Sequence, residues 1–110
     1  MERVEKVLDD MGVNYKINAN EAFVEFWTDT AGQDIPVDIE YDGTPEDFAR
    51  KFSEYADAYD VDDEVEVYVG MRGKNGVPNT VRELMDSCQE AKDTLTEIAK
   101  NVSQAVFGKE

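Results

Sequence analysis

Hydrophobic and polar residues follow two different periods along the first part of the chain. Apolar residues recur at helical spacing over residues 2–11, which predicts a short helix. Over residues 13–17 and 35–42 they alternate with polar residues, a period of two that is typical of strands. Residues 22–28 are rich in aromatic and β-branched types and also favour a strand. We expect these three strands to form an antiparallel meander.

The middle and end of the chain predict two further helices. Thr44 can cap a helix over residues 45–59, and Pro45 suits its first position. A capping box that begins at Thr80 opens a long helix over residues 80–107. Aromatic residues of the first of these helices are spaced by four, three and four positions, as in a core-facing stripe. They are Phe48, Phe52, Tyr55 and Tyr59.

Residues 64–71 alternate valines with polar residues and predict a fourth strand. The expected order is therefore α-β-β-β-α-β-α, an α+β fold in one domain over residues 1–110. A right-handed crossover through the helix over 45–59 would place the fourth strand parallel to the third. We expect a four-stranded, mostly antiparallel sheet with the helices on one face.

Composition excludes several classes of function. The chain has no histidine, which excludes catalytic triads, general bases and metal sites that use histidine. Cys88 is the only cysteine, so no internal disulfide forms and a cytoplasmic location is expected. The net charge of −15 opposes direct binding to nucleic acid or anionic membranes and favours a basic protein partner.

Almost all of this charge lies in one segment, residues 21–66. It holds 16 acidic and two basic residues, a net charge of −14, together with eight aromatic residues that a disordered acidic tail would lack. If the apolar strand positions face the helices, the carboxylates face outward, roughly 7 Å apart at i and i+2. The alternative is an ordinary solvated sheet face. The candidate partner-binding residues on this surface are Glu25, Trp27, Asp38, Glu40, Asp42, Glu64, Glu66 and Tyr68.

No catalytic, metal or cofactor site is assigned from the sequence. The segment from Asp38 to Gly43 begins like an EF-hand loop, but Ala49 replaces the glutamate that position 12 requires. Paired carboxylates suited to hydrolysis are available. With 26 acidic residues in the chain, such a pair is not specific.

The last helix carries an apolar stripe that extends from Val81 to Val106. The stripe is wider than the two-position seam of a coiled coil and so favours packing within the domain. We expect the helix to outrun the sheet. Its last turns, residues 102–107, are therefore a candidate contact for a homodimer.

In size, charge and segregated acidic face, residues 21–66 resemble small acidic anti-defence proteins of phages and mobile elements. These DNA-mimic proteins include antirestriction and anti-CRISPR inhibitors, which present carboxylates to a basic nucleic-acid channel. The resemblance implies a non-enzymatic inhibitor of a nucleic-acid-binding protein. Two alternatives stay open: a small α+β adaptor or dimerisation module of a bacterial or phage protein, and a carboxylate-based hydrolase. The carboxylates that the resemblance would place at the partner are Asp38, Glu40, Asp42, Glu64 and Glu66.

Overall fold

The described residues of the chain form a three-stranded antiparallel sheet and four helices. The computed structural model describes residues 1–29, 34–69 and 80–108, without the side chains of residues 68, 69 and 81. The strand order is β1-β2-β3, and no helix in this part of the chain has the length and apolarity that crossing a membrane requires. In chain order the elements are α1 (Glu2–Asp10), β1 (Asn14–Ile17), β2 (Glu21–Trp27), β3 (Asp34–Glu40), α2 (Pro45–Ala58), α3 (Val61–Val69) and α4 (Val81–Phe107).

The three predicted helices and the first three predicted strands are confirmed, each to within two residues at either end. The fourth predicted strand is wrong, because α3 covers Val61–Val69. Asp60 begins this helix: its Oδ1 atom accepts hydrogen bonds from the backbone N–H groups of Asp62 (2.9 Å) and Asp63 (3.2 Å). Acidic residues in the first turn also interact favourably with the helix dipole. Gly70 and Met71, the last positions of the predicted strand, lie outside the described residues.

The core lies between the inner face of the sheet and the helices. Phe48 and Phe52 of α2 are fully buried, as the aromatic stripe predicts, and Tyr41 meets Phe48 edge-on with ring centroids 5.7 Å apart. Alternate residues of β2 and β3 supply the sheet's half of this core. They are Ala22, Val24, Phe26, Ile35, Val37 and Ile39.

Helix α4 packs against the other three helices, so its apolar stripe is largely covered within the chain. Val102 is buried and Val106 packs against the core, while Arg3 of α1 donates a 3.4 Å hydrogen bond to the carbonyl oxygen of Ala105. Phe107 stays 49% exposed. The sequence pattern predicted that the helices pack on the sheet, and it did not predict the contact of α1 with the end of α4. The homodimer stays a prediction, with a smaller apolar surface than the sequence implied.

The end of β3 and the start of α2 are tied to the turn between β1 and β2. Tyr41 donates its backbone N–H to the carbonyl oxygen of Asn20 (3.1 Å) and its hydroxyl to that of Asn18 (2.7 Å). Gly43 has a φ of +95°, and a Cβ atom there would lie 2.6 Å from the carbonyl oxygen of Ala19. This contact brings the two backbones as close as glycine permits.

Replacing Phe52 with alanine tests the aromatic core. Because the ring is fully buried, Phe52→Ala should lower the free energy of unfolding by about 3–5 kcal/mol. Chemical denaturation measures the loss, with Lys51→Ala at the exposed neighbouring position as the matched control, expected within about 0.5 kcal/mol of the parent. A loss below about 1 kcal/mol for Phe52→Ala would contradict its place in the core.

A comparison of two glycines tests the contact at Gly43. Gly12 also has a positive φ, +71°, but a Cβ atom there would meet nothing within 4 Å. Gly12→Ala should therefore lose about 1–2 kcal/mol from the left-handed backbone alone. Gly43→Ala should lose more, because the Ala19 carbonyl must also move. Equal losses in denaturation would show that the close approach is absent.

Candidate functional site

The outer face of the sheet is the candidate site, because the described helices pack on the other face. We call it the acidic sheet face. Its side chains are exposed or half-buried, whereas the alternating residues of β2 and β3 that point inward are buried. In β2 and β3 its opposed pairs are Glu21 with Glu40, Phe23 with Asp38, Glu25 with Pro36 and Trp27 with Asp34. In β1, Lys16 lies opposite Phe23 and Asn14 opposite Glu25.

The backbone hydrogen bonds decide how close these pairs come. The bond from Tyr41 to Asn20 makes these two residues a hydrogen-bonded pair. In an antiparallel ladder the next pair, Glu21 with Glu40, is then non-hydrogen-bonded, with Cα atoms only about 4.5 Å apart. Like charges in directly opposed positions destabilise a sheet. The fold therefore tolerates a pair of like charges at this position.

The carboxylates of this face are not neutralised by ion pairs within the described part of the chain. The ion pairs there are Lys6 with Asp10 and Arg50 with Asp47, and neither lies on the face. Lys16 is the only basic residue among the face positions of β1, β2 and β3. The five carboxylates are those of Glu21, Glu25, Asp34, Asp38 and Glu40.

Two aromatic side chains stand among these carboxylates. Trp27 is 60% exposed, and Phe23 is half-buried on the same face of β2. Four residues of strand separate them by about 13 Å. Each lines an open depression, of ≈ 430 Å³ at Phe23 and ≈ 450 Å³ at Trp27. The face thus combines negative charge with two apolar contact points.

Four of the residues predicted for the site lie on this face: Glu25, Trp27, Asp38 and Glu40. Asp42 follows β3, and its Oδ1 atom accepts hydrogen bonds from the backbone N–H (2.9 Å) and the hydroxyl (2.6 Å) of Thr44. This position makes Asp42 part of the turn that leads into α2.

Glu64 and Glu66 do not share the sheet face, because their segment is helix α3 and not a strand. The predicted contact of Tyr68 lies outside the described side chains. Glu64 is nevertheless within electrostatic reach of the sheet. Burial is the main cause of a raised pKa at Tyr55, and the charges of Glu64 and Asp38 both add to it. Glu64 and Asp38 therefore both act on the hydroxyl of Tyr55, although only Asp38 lies on the acidic sheet face.

Two carboxylates of the acidic sheet face, Glu21 and Asp34, were not among the residues predicted for the site. Both share the strand parity of residues that were chosen: Glu21 is four positions before Glu25, and Asp34 four before Asp38. The missed signal was strand length, because both residues are the first of their strands. Extending the period of two by one step would have found them.

Asp47 is the buried carboxyl group of the described residues, 7% exposed, and its contacts are structural. Its backbone N–H donates to the Thr44 hydroxyl (3.2 Å), as the predicted cap requires. Its carboxylate accepts from Arg50 Nη2 (2.6 Å) and from the backbone N–H of Asp42 (3.0 Å). The Arg50 hydrogen bond lowers the pKa of Asp47, against burial, which raises it. An ionised carboxylate of this kind is a poor general acid, which needs a raised pKa.

Within residues 1–29, 34–69 and 80–108, no three acidic or cysteine side chains are grouped closely enough to hold a metal ion. The segment from Asp38 to Gly43, which begins like an EF-hand loop, is divided between β3 and the turn before α2. Its oxygens therefore do not follow one loop around a common centre.

The pKa of Asp47 gives a testable pH dependence. A carboxyl whose pKa is lowered on folding stabilises the protein above its unfolded value, about 3.9, and the contribution is lost as the pH falls through the folded pKa. Asp47→Asn should therefore be less stable than the parent at pH 7, and the difference should shrink toward pH 3. Urea denaturation at several pH values measures it, with exposed Glu46→Gln as control. A difference that stays constant from pH 7 to pH 3 would contradict this role.

Comparisons with known proteins add no family to this description. No protein-family model matches the chain, and no curated protein or solved structure matches it either. What the chain does has to be inferred from its own residues and their geometry.

Proposed function

We propose that the protein is a non-enzymatic binding protein whose acidic sheet face occupies the nucleic-acid-binding site of a basic partner. The observation that carries the proposal is a sheet face that holds five carboxylates and one lysine and that makes no ion pair among the described residues. Carboxylates without an ion-pair partner attract a basic surface over the screening length of the solvent, roughly 8–10 Å.

The spacing of the charges favours mimicry of nucleic acid over simple attraction. Asp38 and Glu40 lie about 7 Å apart along β3, and further carboxylates run beside them on β2. Phe23 and Trp27 interrupt this array with apolar surface, as bases do beside a phosphate backbone. A partner that binds phosphates with arginine and lysine would meet a similar pattern here. The general likeness to DNA-mimic anti-defence proteins points to a cytoplasmic partner such as a restriction or CRISPR enzyme.

The exposure of the carboxylates favours binding over catalysis. Hydrolysis by paired carboxyl groups needs one of them to be protonated by its surroundings. The carboxylates of the acidic sheet face are exposed or half-buried, and the buried Asp47 is held ionised by Arg50. An adaptor that dimerises through α4 has less support, because helices α1, α2 and α3 pack against α4 and together cover most of its apolar stripe.

Charge reversal on the sheet tests the proposal. Glu25→Lys, Asp38→Lys and Glu40→Lys together should slow association with the partner at least about tenfold at low salt, because they reverse the field that steers the encounter. Trp27→Ala should act differently, by speeding dissociation, since an exposed aromatic anchor holds the complex once it has formed. The partner is captured from host lysate at low salt and purified, and kinetics are measured in a salt series.

The matched control reverses three exposed carboxylates on α2 and α4: Glu54, Asp86 and Glu97. It changes the net charge equally, so equal slowing by both triples would attribute binding to overall charge and contradict the docking face. Circular dichroism confirms that each variant is folded. Double-stranded DNA should compete with the protein for the partner. A partner that binds DNA and this protein at the same time would contradict mimicry.

A further inference from the structure

We infer that the depression at Phe23 accepts an arginine side chain of the partner, with its guanidinium group against the Phe23 ring and hydrogen-bonded to the surrounding carboxylates. The inference rests on the proposed function, because it names the chemical group that the acidic sheet face recognises. It goes further in choosing one place on the face and one cation.

The strand register brings together the residues that line the depression at Phe23. Phe23 lies on the central strand, between Lys16 of β1 and Asp38 of β3. The next pair toward the turn is Glu21 with Glu40. All five residues line the same open depression of ≈ 430 Å³. Its volume is at the lower end of that of ligand pockets, about 300–1,000 Å³, and suits one long side chain.

The spacing of the carboxylates favours an organic cation over a metal ion. No three of the described acidic side chains are close enough to bind a metal together. Glu21 and Glu40 are nevertheless directly opposed on neighbouring strands, with Cβ atoms expected about 4.5–5.5 Å apart. A guanidinium group is wide enough to reach two carboxylates at once, whereas a metal ion would have to draw its ligands together.

The aromatic ring distinguishes arginine from lysine. Guanidinium is planar, weakly hydrated and stacks on aromatic rings, and its fixed fork of donors matches carboxylate oxygens. Lysine carries a compact, strongly hydrated charge and gains less from either contact. The depression offers both features, a partly exposed ring and opposed carboxylates.

Lys16 of the protein itself gives a second means of testing the site. It lines the depression and lies opposite Phe23, yet it is exposed and makes no ion pair with Asp38. An incoming arginine would meet its positive charge. Removing that charge should therefore strengthen the binding of a cation, and would weaken the binding of an anion.

The test compares two peptides, acetyl-Gly-Arg-Gly-Arg-Gly-amide and its lysine counterpart, by nuclear magnetic resonance titration of the intact protein at low salt. We expect the arginine peptide to bind about fivefold more tightly, with the largest shifts at the backbone amides of Lys16, Phe23 and Asp38. Phe23→Leu should remove the preference, and Lys16→Ala should increase affinity about twofold. Asp38→Asn should weaken arginine binding with little effect on the core, since its side chain is exposed.

The controls are Glu54→Gln and Asp86→Asn, exposed carboxylates of α2 and α4 that lie outside the depression and should leave the arginine preference unchanged. Equal binding of both peptides, an arginine preference that survives in Phe23→Leu, or unchanged arginine binding in Asp38→Asn would overturn the inference. So would weaker arginine binding in Lys16→Ala. None of these outcomes decides the proposed function, which the charge-reversal experiment tests separately. Conversely, an arginine preference together with a partner for which DNA does not compete would support this arginine site and contradict nucleic-acid mimicry.

Discussion

The pairing register of β2 with β3 is the constraint on which the rest of the structure depends. It sets Val24 against Val37 on the inner face and Phe23 against Asp38 on the outer face. A slip of one residue would exchange the faces, placing carboxylates in the core and valines in water. The register is secured at the turn, where Tyr41 holds the chain at Asn18 and Asn20 and Gly43 lets the backbones approach. The acidic sheet face therefore exists because the core on its other side fixes it there.

The parts of the fold that the sequence predicted are those where one local signal acted alone. Thr44 and Pro45 marked the start of α2, and the period of two in β3 separated its buried from its exposed side chains. At α3 two signals conflicted. The valines of residues 64–71 alternate as in a strand, but Asp60 supplies a helix cap and the following acids suit a helix N-terminus. The cap and the packing of α3 on α4 prevailed over the alternation.

The candidate site was predictable to the same extent, since it inherits the strand parity. Glu25, Trp27, Asp38 and Glu40 follow directly from alternation, whereas Glu64 was misplaced together with its strand. What could not be read from the sequence was which residues stand opposite one another. The pairing of Glu21 with Glu40, and of Phe23 with both Lys16 and Asp38, depends on register, which is a property of two strands together.

Pro36 has a consequence for how the molecule behaves in a crowded solution. It belongs to a non-hydrogen-bonded pair with Glu25, so its backbone nitrogen points away from β2 and costs the ladder no bond. That direction is the free edge of β3, the last strand of the described sheet. The unpaired backbone groups of an edge strand can bind a strand of another chain, which is the first step of aggregation. Here the ring removes one of the donors that such a strand would need, and the neighbouring Asp38 and Glu40 carry like charges that oppose a second copy of the same edge.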